Sequence, residues 1–236
     1  MKSTGNFSRT CRSCLALLQQ LPFANSTLNS SSNSEPESIT EEQNITSMWT
    51  EFDNTAQNYG LNFKLGHVNA NSIGGFEFYE IRTWLLSGRF DILVISETKI
   101  SGSFLDSQFQ VEGFRLCRSD RKAGGGGLMI YVRSDIHFVK VKYLKGITPE
   151  EWAAFRTETI ILKVKLGRGW IAVVGVYRPP SIPKHQWTRE LSSIFEEVST
   201  LTETVFYAGD FSADLLNPDK PPKDGRNLLD LMEIFG

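Results

Sequence analysis

Four polar residues stand at the ends of apolar runs: Asn69 in "HVNAN", Glu97 in "VISETK", Tyr177 in "VVGVYRPP" and Asp210 in "FYAGDFS". In sheet-based folds the core fixes the strand and leaves its tip open, so functional side chains collect there. Two carboxylates, an amide and a phenol brought together would make an oxygen-rich site without histidine or cysteine. Such a set suits a hard cation such as Mg²⁺ and does not suit zinc. The chemistry that follows is hydrolysis of a phosphoester, with a carboxylate orienting the attacking water. Taken singly, each residue has a plainer role. Glu97 and Asp210 read as solvated strand-end carboxylates, Asn69 as a turn former and Tyr177 as a half-buried core tyrosine with a wet hydroxyl. Their joint occurrence at four strand tips carries the argument.

The elements that would position these residues begin near Leu61. "FKLGHVNA", "DILVIS", "FRLCR", "GGLMIYVR", "HFVKVKY", "ETIILKVKL", "WIAVVGVY" and "VFYAGDF" read as strands. "FEFYEIRTWLLS" reads as a helix with Phe78, Ile81, Trp84 and Leu85 on one face. "HQWTRELSSIFEEVSTL" carries the stripe Trp187, Leu191, Ile194, Val198, and "GRNLLDLMEIF" starts a last helix. Strands in runs, with helices to cover both outer faces, predict an α/β sandwich of two packed sheets. The sequence stops at Gly236, one helix after the "VFYAGDF" strand, and the reading expects the last strands to be missing.

Residues 1–60 differ. "NSTLNSSSNSEPESITEEQNITS" is poor in aliphatics and is expected to form a disordered leader, with a short helix around Cys14 to Leu21. Residues 61–236 form the folded domain. The three cysteines, Cys11, Cys14 and Cys117, exclude a disulfide scaffold, and the Cys11–Cys14 pair lacks a partner at zinc spacing. The sequons at Asn6, Asn25, Asn29 and Asn44 fall in Ser/Asn-rich text where chance matches are expected. No apolar run is long enough to span a membrane, and Gln19 and Gln20 interrupt the one N-terminal run. An intracellular protein, nuclear or cytoplasmic, is expected.

A net charge of −2 gives no bulk attraction to nucleic acid. Local positive charge occurs at Arg118, Arg121, Lys122, Arg133, Lys140 and Lys142, which read as a solvated surface or as contacts to a phosphate backbone. "RKAGGGGLMIYVR" lacks the Lys-Ser/Thr and the following helix of a phosphate loop, so Gly124 to Gly127 read as a flexible turn between strands. His67, His137 and His185 show no spacing of a metal site, and His185 is expected to be exposed.

In order and rough spacing, "HVNANSI", "DILVISETK", "GGGGLMIYVR", "VVGVYRPP" and "YAGDFSADLL" resemble the endonuclease/exonuclease/phosphatase superfamily, the fold of apurinic/apyrimidinic endonucleases and deoxyribonuclease I. Within it the text looks most like the endonuclease domain of LINE-type non-LTR retrotransposons. The resemblance implies a four-layer α/β sandwich, two packed mixed β-sheets flanked by helices. It implies Mg²⁺, with Mn²⁺ as a substitute, DNA as partner, no small-molecule cofactor and a monomer. By motif, Asn69 matches the asparagine that braces the site, Glu97 the metal-binding glutamate, Tyr177 the tyrosine on the scissile phosphate and Asp210 the water-handling aspartate. Two departures stand out. The family's Gly-Asp-x-Asn has Ser212 at its last position, and the closing Ile-Asp and Ser-Asp-His segments do not occur before Gly236. The resemblance therefore implies a Mg²⁺-dependent DNA nickase with reduced or absent activity, or an inactive remnant that binds nucleic acid weakly.

Overall fold

A computed structural model describes residues 14–16, 50, 54, 63–121, 125–213 and 223–235. Its strands are β1 (Cys14–Ala16), β2 (Phe63–Asn69), β3 (Ile92–Ser96), β4 (Phe114–Ser119), β5 (Leu128–Arg133), β6 (Phe138–Val141), β7 (Glu158–Leu166), β8 (Gly169–Tyr177) and β9 (Val205–Asp210). The helices are α1 (Phe76–Leu86), α2 (Pro149–Ala154), α3 (Lys184–Ser199) and α4 (Lys223–Phe235), with a 3₁₀ turn at Asp106–Phe109.

Two mixed sheets form, ordered β1-β2-β3-β5-β4 and β6-β7-β8-β9. Alternation along each strand decides which cluster a side chain joins. Ile92 and Val94 of β3 meet Leu162, Val164 and Val173 between the sheets, while Leu93 and Ile95 face α1 with Ile81 and Leu85. On the far side Ala172, Val174 and Val176 of β8 pack against Trp187, Leu191, Ile194 and Val198 of α3 and Leu228 of α4. The layers run helix, sheet, sheet, helices, as the sequence pattern predicts. The stripes read for α1 and α3 are the faces they bury, with Phe78 and Trp84 partly covered at the margin.

Each sheet holds one parallel pair that matters for function. β2 runs parallel to β3, with Asn69 opposite Ser96, and β8 runs parallel to β9, with Tyr177 opposite Asp210. Parallel neighbours end on the same side. Four strand tips are thereby gathered at one rim of the sandwich.

One expectation is corrected. Cys14–Ala16 form a strand parallel to β2, pairing Cys14 with Phe63, where a helix around Cys14 to Leu21 was expected. The physical reason is the edge of β2: its unpaired N–H and C=O groups form a ladder for any short apolar segment. Most of 1–60 lies outside the described residues, as do Cys11, the four sequons, Lys122 and Gly124. A short helix also goes beyond the sequence reading. α2 starts at a capping box in which Thr148 accepts from the Glu151 backbone and Glu151 returns a bond to Thr148. No helix among the described residues is long and apolar enough to cross a membrane.

Candidate active site

The amide of Asn69 joins the two sheets. Its Nδ2 donates to Glu97 Oε1 at 2.9 Å and to Asp210 Oδ2 at 2.8 Å. Its Oδ1 accepts from the Asn71 backbone at 3.0 Å, which fixes which way the amide faces. Asp210 ends β9 beside Tyr177, and the carbonyl of Asp210 accepts from Arg178 N at 2.8 Å. Gly209 explains the glycine of "AGDF". A Cβ there would lie 1.8 Å from the carbonyl oxygen of Val176, so only glycine lets β9 approach β8 this closely next to the carboxylate.

Glu97 follows the last residue of β3 in the left-handed region, φ 54°, as does Lys99 at φ 52°. Two non-glycine residues in this conformation within one short turn mark stored backbone strain. The turn is held from the side by the glycine segment: Thr98 N donates to Gly127 O at 3.2 Å and Lys99 N to Gly126 O at 2.8 Å. Lys99 Nζ lies 3.4 Å from Glu97 Oε2 and also donates to Asn71 Oδ1.

Tyr177 is buried, in the field of the carboxylates Glu97, Glu158 and Asp210. Burial first, then the negative charge of Glu97, Glu158 and Asp210, pushes the phenol up to about 12. The phenol stays protonated at neutral pH and is a donor. His67 sits behind the site, buried, with Nε2 3.0 Å from Ser96 Oγ. Burial lowers its imidazole to about 4 against the opposing pull of Asp210, so it is neutral.

Ser212 stands two residues beyond Asp210 at φ 46°. Its N–H donates to Asp210 Oδ1 at 2.7 Å, and its hydroxyl is 3.4 Å from the Arg178 carbonyl. The backbone, not the hydroxyl, makes the close contact with the carboxylate. Left-handed φ favours asparagine over serine, so the backbone here sits in a region that serine adopts less readily.

Glu158 belongs to this neighbourhood and escaped the sequence reading. It pairs with Tyr177 across the β7–β8 hairpin, in register with Leu166 opposite Gly169. Counting outward from that tight turn would have found it. Its Oε2 accepts from Gly127 N at 2.6 Å, and Arg121 Nη1 lies 3.6 Å from Oε1. Burial and the charge of Glu97 raise its carboxyl above the usual range, against the Gly127 bond and Arg121.

The residues singled out for positive charge are largely committed elsewhere. Arg118 pairs with Asp106 and Asp120, Arg121 with Glu158, and Arg133 with Asp91 and Asp135. Lys140 donates to the Arg118 carbonyl, while Lys142 is exposed. His137 stacks edge-on against Trp170 and His185 is exposed, so neither reaches the site.

The donor set fits a partly hydrated hard ion. All its donors are oxygens, and the Glu97 side chain is 21% exposed. Among the described residues no three His, Cys, Asp or Glu are grouped to enclose an ion. Mg²⁺ is commonly held in this way, by one or two carboxylates while it keeps several waters.

The profile of the Endonuclease/Exonuclease/phosphatase family matches residues 67–232. The chain belongs to that family. Its fold is similar to an AP endonuclease from Archaeoglobus fulgidus, at TM-score 0.53 and 18% identity over 72% of this chain and 70% of that one. It is similar to the endonuclease domain of TRAS1, a telomere-specific non-LTR retrotransposon, at TM-score 0.52 and 14% identity over 72% and 70%. A family protein from Bacteroides thetaiotaomicron gives TM-score 0.51 and 16% identity over 70% and 66%. No curated protein matches in sequence. These likenesses establish the four-layer sandwich that the strand pattern predicts.

Proposed function

We propose that this family member hydrolyses phosphodiester bonds of DNA with the help of a divalent ion, nicking one strand as a retrotransposon-type endonuclease does. The observation that carries the reading is the Asn69 amide spanning Glu97 and Asp210 beside a protonated Tyr177. The motifs "DILVISET", "YRPP" and "GDF" and the endonucleases among its fold neighbours support DNA as the substrate.

Glu97 would hold Mg²⁺, or Mn²⁺ in its place, and the bound ion would polarise a phosphoryl oxygen. Asn69 keeps the two carboxylates apart and oriented. Asp210 takes a proton from the attacking water, its Oδ1 steadied by the Ser212 N–H. The Tyr177 phenol donates to the phosphate as charge develops there. No small-molecule cofactor is needed, and one copy of the chain carries all four residues.

Ser212 favours a second reading, a chain that binds nucleic acid and cuts it slowly or not at all. Its hydroxyl turns toward Arg178 O, so the donor that an asparagine amide would give the phosphate is weakened. Supercoiled plasmid incubated with Mg²⁺ decides between them. Nicked circles that disappear with Asp210→Ala support hydrolysis at this site. Nicking that survives both Asp210→Ala and Glu97→Ala removes it.

A further inference from the structure

We propose that Glu158 is a positioning residue: by gripping the Gly126–Gly127 main chain it holds Glu97 in the left-handed turn from which it would bind a divalent ion. The inference rests on the metal-binding reading of Glu97, but the grip itself can be tested without it.

The chain of contacts is continuous. Buried Glu190 of α3 accepts from Thr157 N at 2.8 Å and from Thr157 Oγ1 at 2.7 Å, and from Arg156 N at 3.1 Å. The start of β7 is thereby pinned to a helix, and Glu158 is the next residue. Its Oε2 takes the Gly127 N–H at 2.6 Å, and the carbonyls of Gly127 and Gly126 take the N–H groups of Thr98 and Lys99. Those two amides belong to the peptide units on either side of Thr98, which join the positive-φ residues Glu97 and Lys99.

The two glycines are required by the grip. A Cβ on Gly126 would lie 2.3 Å from Glu158 Oε1, and one on Gly127 would lie 2.3 Å from Thr98 Oγ1. Both also hold positive φ, 74° and 91°. The glycine run read as a flexible turn is therefore, at Gly126 and Gly127, a packed wedge between Glu158 and the Glu97 turn. A bare structural salt bridge would not need this: Arg121 approaches Glu158 only to 3.6 Å, while the Gly127 bond is short and directed. Residues that orient a metal ligand from behind typically change metal affinity about 10–100-fold when lost.

The test uses the full chain, with Mn²⁺ as the probe. Site-resolved amide exchange is measured at Thr98 and Lys99, and Mn²⁺ affinity by water-proton relaxation. Glu158→Ala should speed exchange at both amides about tenfold, leave the β8 amides at wild-type rates, and weaken Mn²⁺ binding about 10–100-fold. Glu158→Gln keeps an acceptor for Gly127 and should stay within about threefold of wild type in both readouts. Glu158→Asp keeps the charge but is one methylene too short, so it should behave like alanine; it stands in if the alanine variant fails to fold. Unchanged exchange in the alanine or aspartate variant overturns the proposal. So does a glutamine variant as impaired as alanine, since that assigns the effect to charge. If wild type binds no Mn²⁺, the ion-holding role of Glu97 is what fails, and the exchange rates alone decide the grip.

Discussion

At the rim of the first sheet, Glu97 leaves its strand into a left-handed turn and depends on a neighbouring loop for support. At the rim of the second, Asp210 is the last residue of β9, held by strand pairing and by the close approach that Gly209 permits. The two carboxylates meet on one amide, yet one is braced by loops and the other by a sheet. Loop bracing makes the position of Glu97 depend on hydrogen bonds from a neighbouring segment. Sheet bracing fixes the direction in which a water must be held. The contrast matches the division of labour proposed for the two residues.

The comparison can be broken most sharply at Asp210. Replacement by alanine should lower the plasmid-nicking rate about 10²–10⁴-fold, the usual contribution of a positioned base, with the fold retained by circular dichroism. Sharpening the same tip should work in the other direction. Ser212→Asn supplies an amide donor and a residue at ease at φ 46°, and should raise the nicking rate by up to about 10²–10³-fold, measured at saturating Mg²⁺.

A stability effect of about 3 kcal/mol is expected from His67, whose folded value near 4 lies below the ordinary 6.5. The unfolded chain binds the proton more readily, so this contribution is fully present above pH 6.5. It is lost as pH falls from 6.5 to 4. Urea midpoints across that window should drop for wild type and show a flatter dependence in His67→Gln. At Gly209 alanine meets the main chain of Val176, which cannot give as a side-chain end can, and should cost at least about 3 kcal/mol, lowering the melting temperature and, because Asp210 shifts, the nicking rate.

Much of this arrangement was legible because alternation and strand-end polarity are local signals. The Leu93/Ile95 and Ile92/Val94 split of β3 and the Trp187–Val198 stripe follow from period alone. Asn69, Glu97, Tyr177 and Asp210 were visible as polar groups ending apolar runs, and the structure brings them together. The parts that escaped depend on pairing between distant segments. Cys14–Ala16 is a strand only because β2 offers its edge, each residue pairing with one 49 positions further along the chain. Glu158 lies at the start of its strand and looks like an ordinary solvated carboxylate until the hairpin register sets it beside Tyr177. The role of the glycines also needs partners from two other segments, Glu158 and the Thr98–Lys99 turn, which no spacing rule encodes.

The Asn69–Asp210 hydrogen bond closes a loop of 141 residues. Contacts of such long sequence separation are formed late, because loop entropy must be overcome before they reward the chain. The site therefore has no partial form: until β9 docks beside β8 and faces β2, Asn69 has one carboxylate instead of two. In a refolding experiment, circular dichroism should recover before nicking does, and the interval between them times the joining of the two sheets.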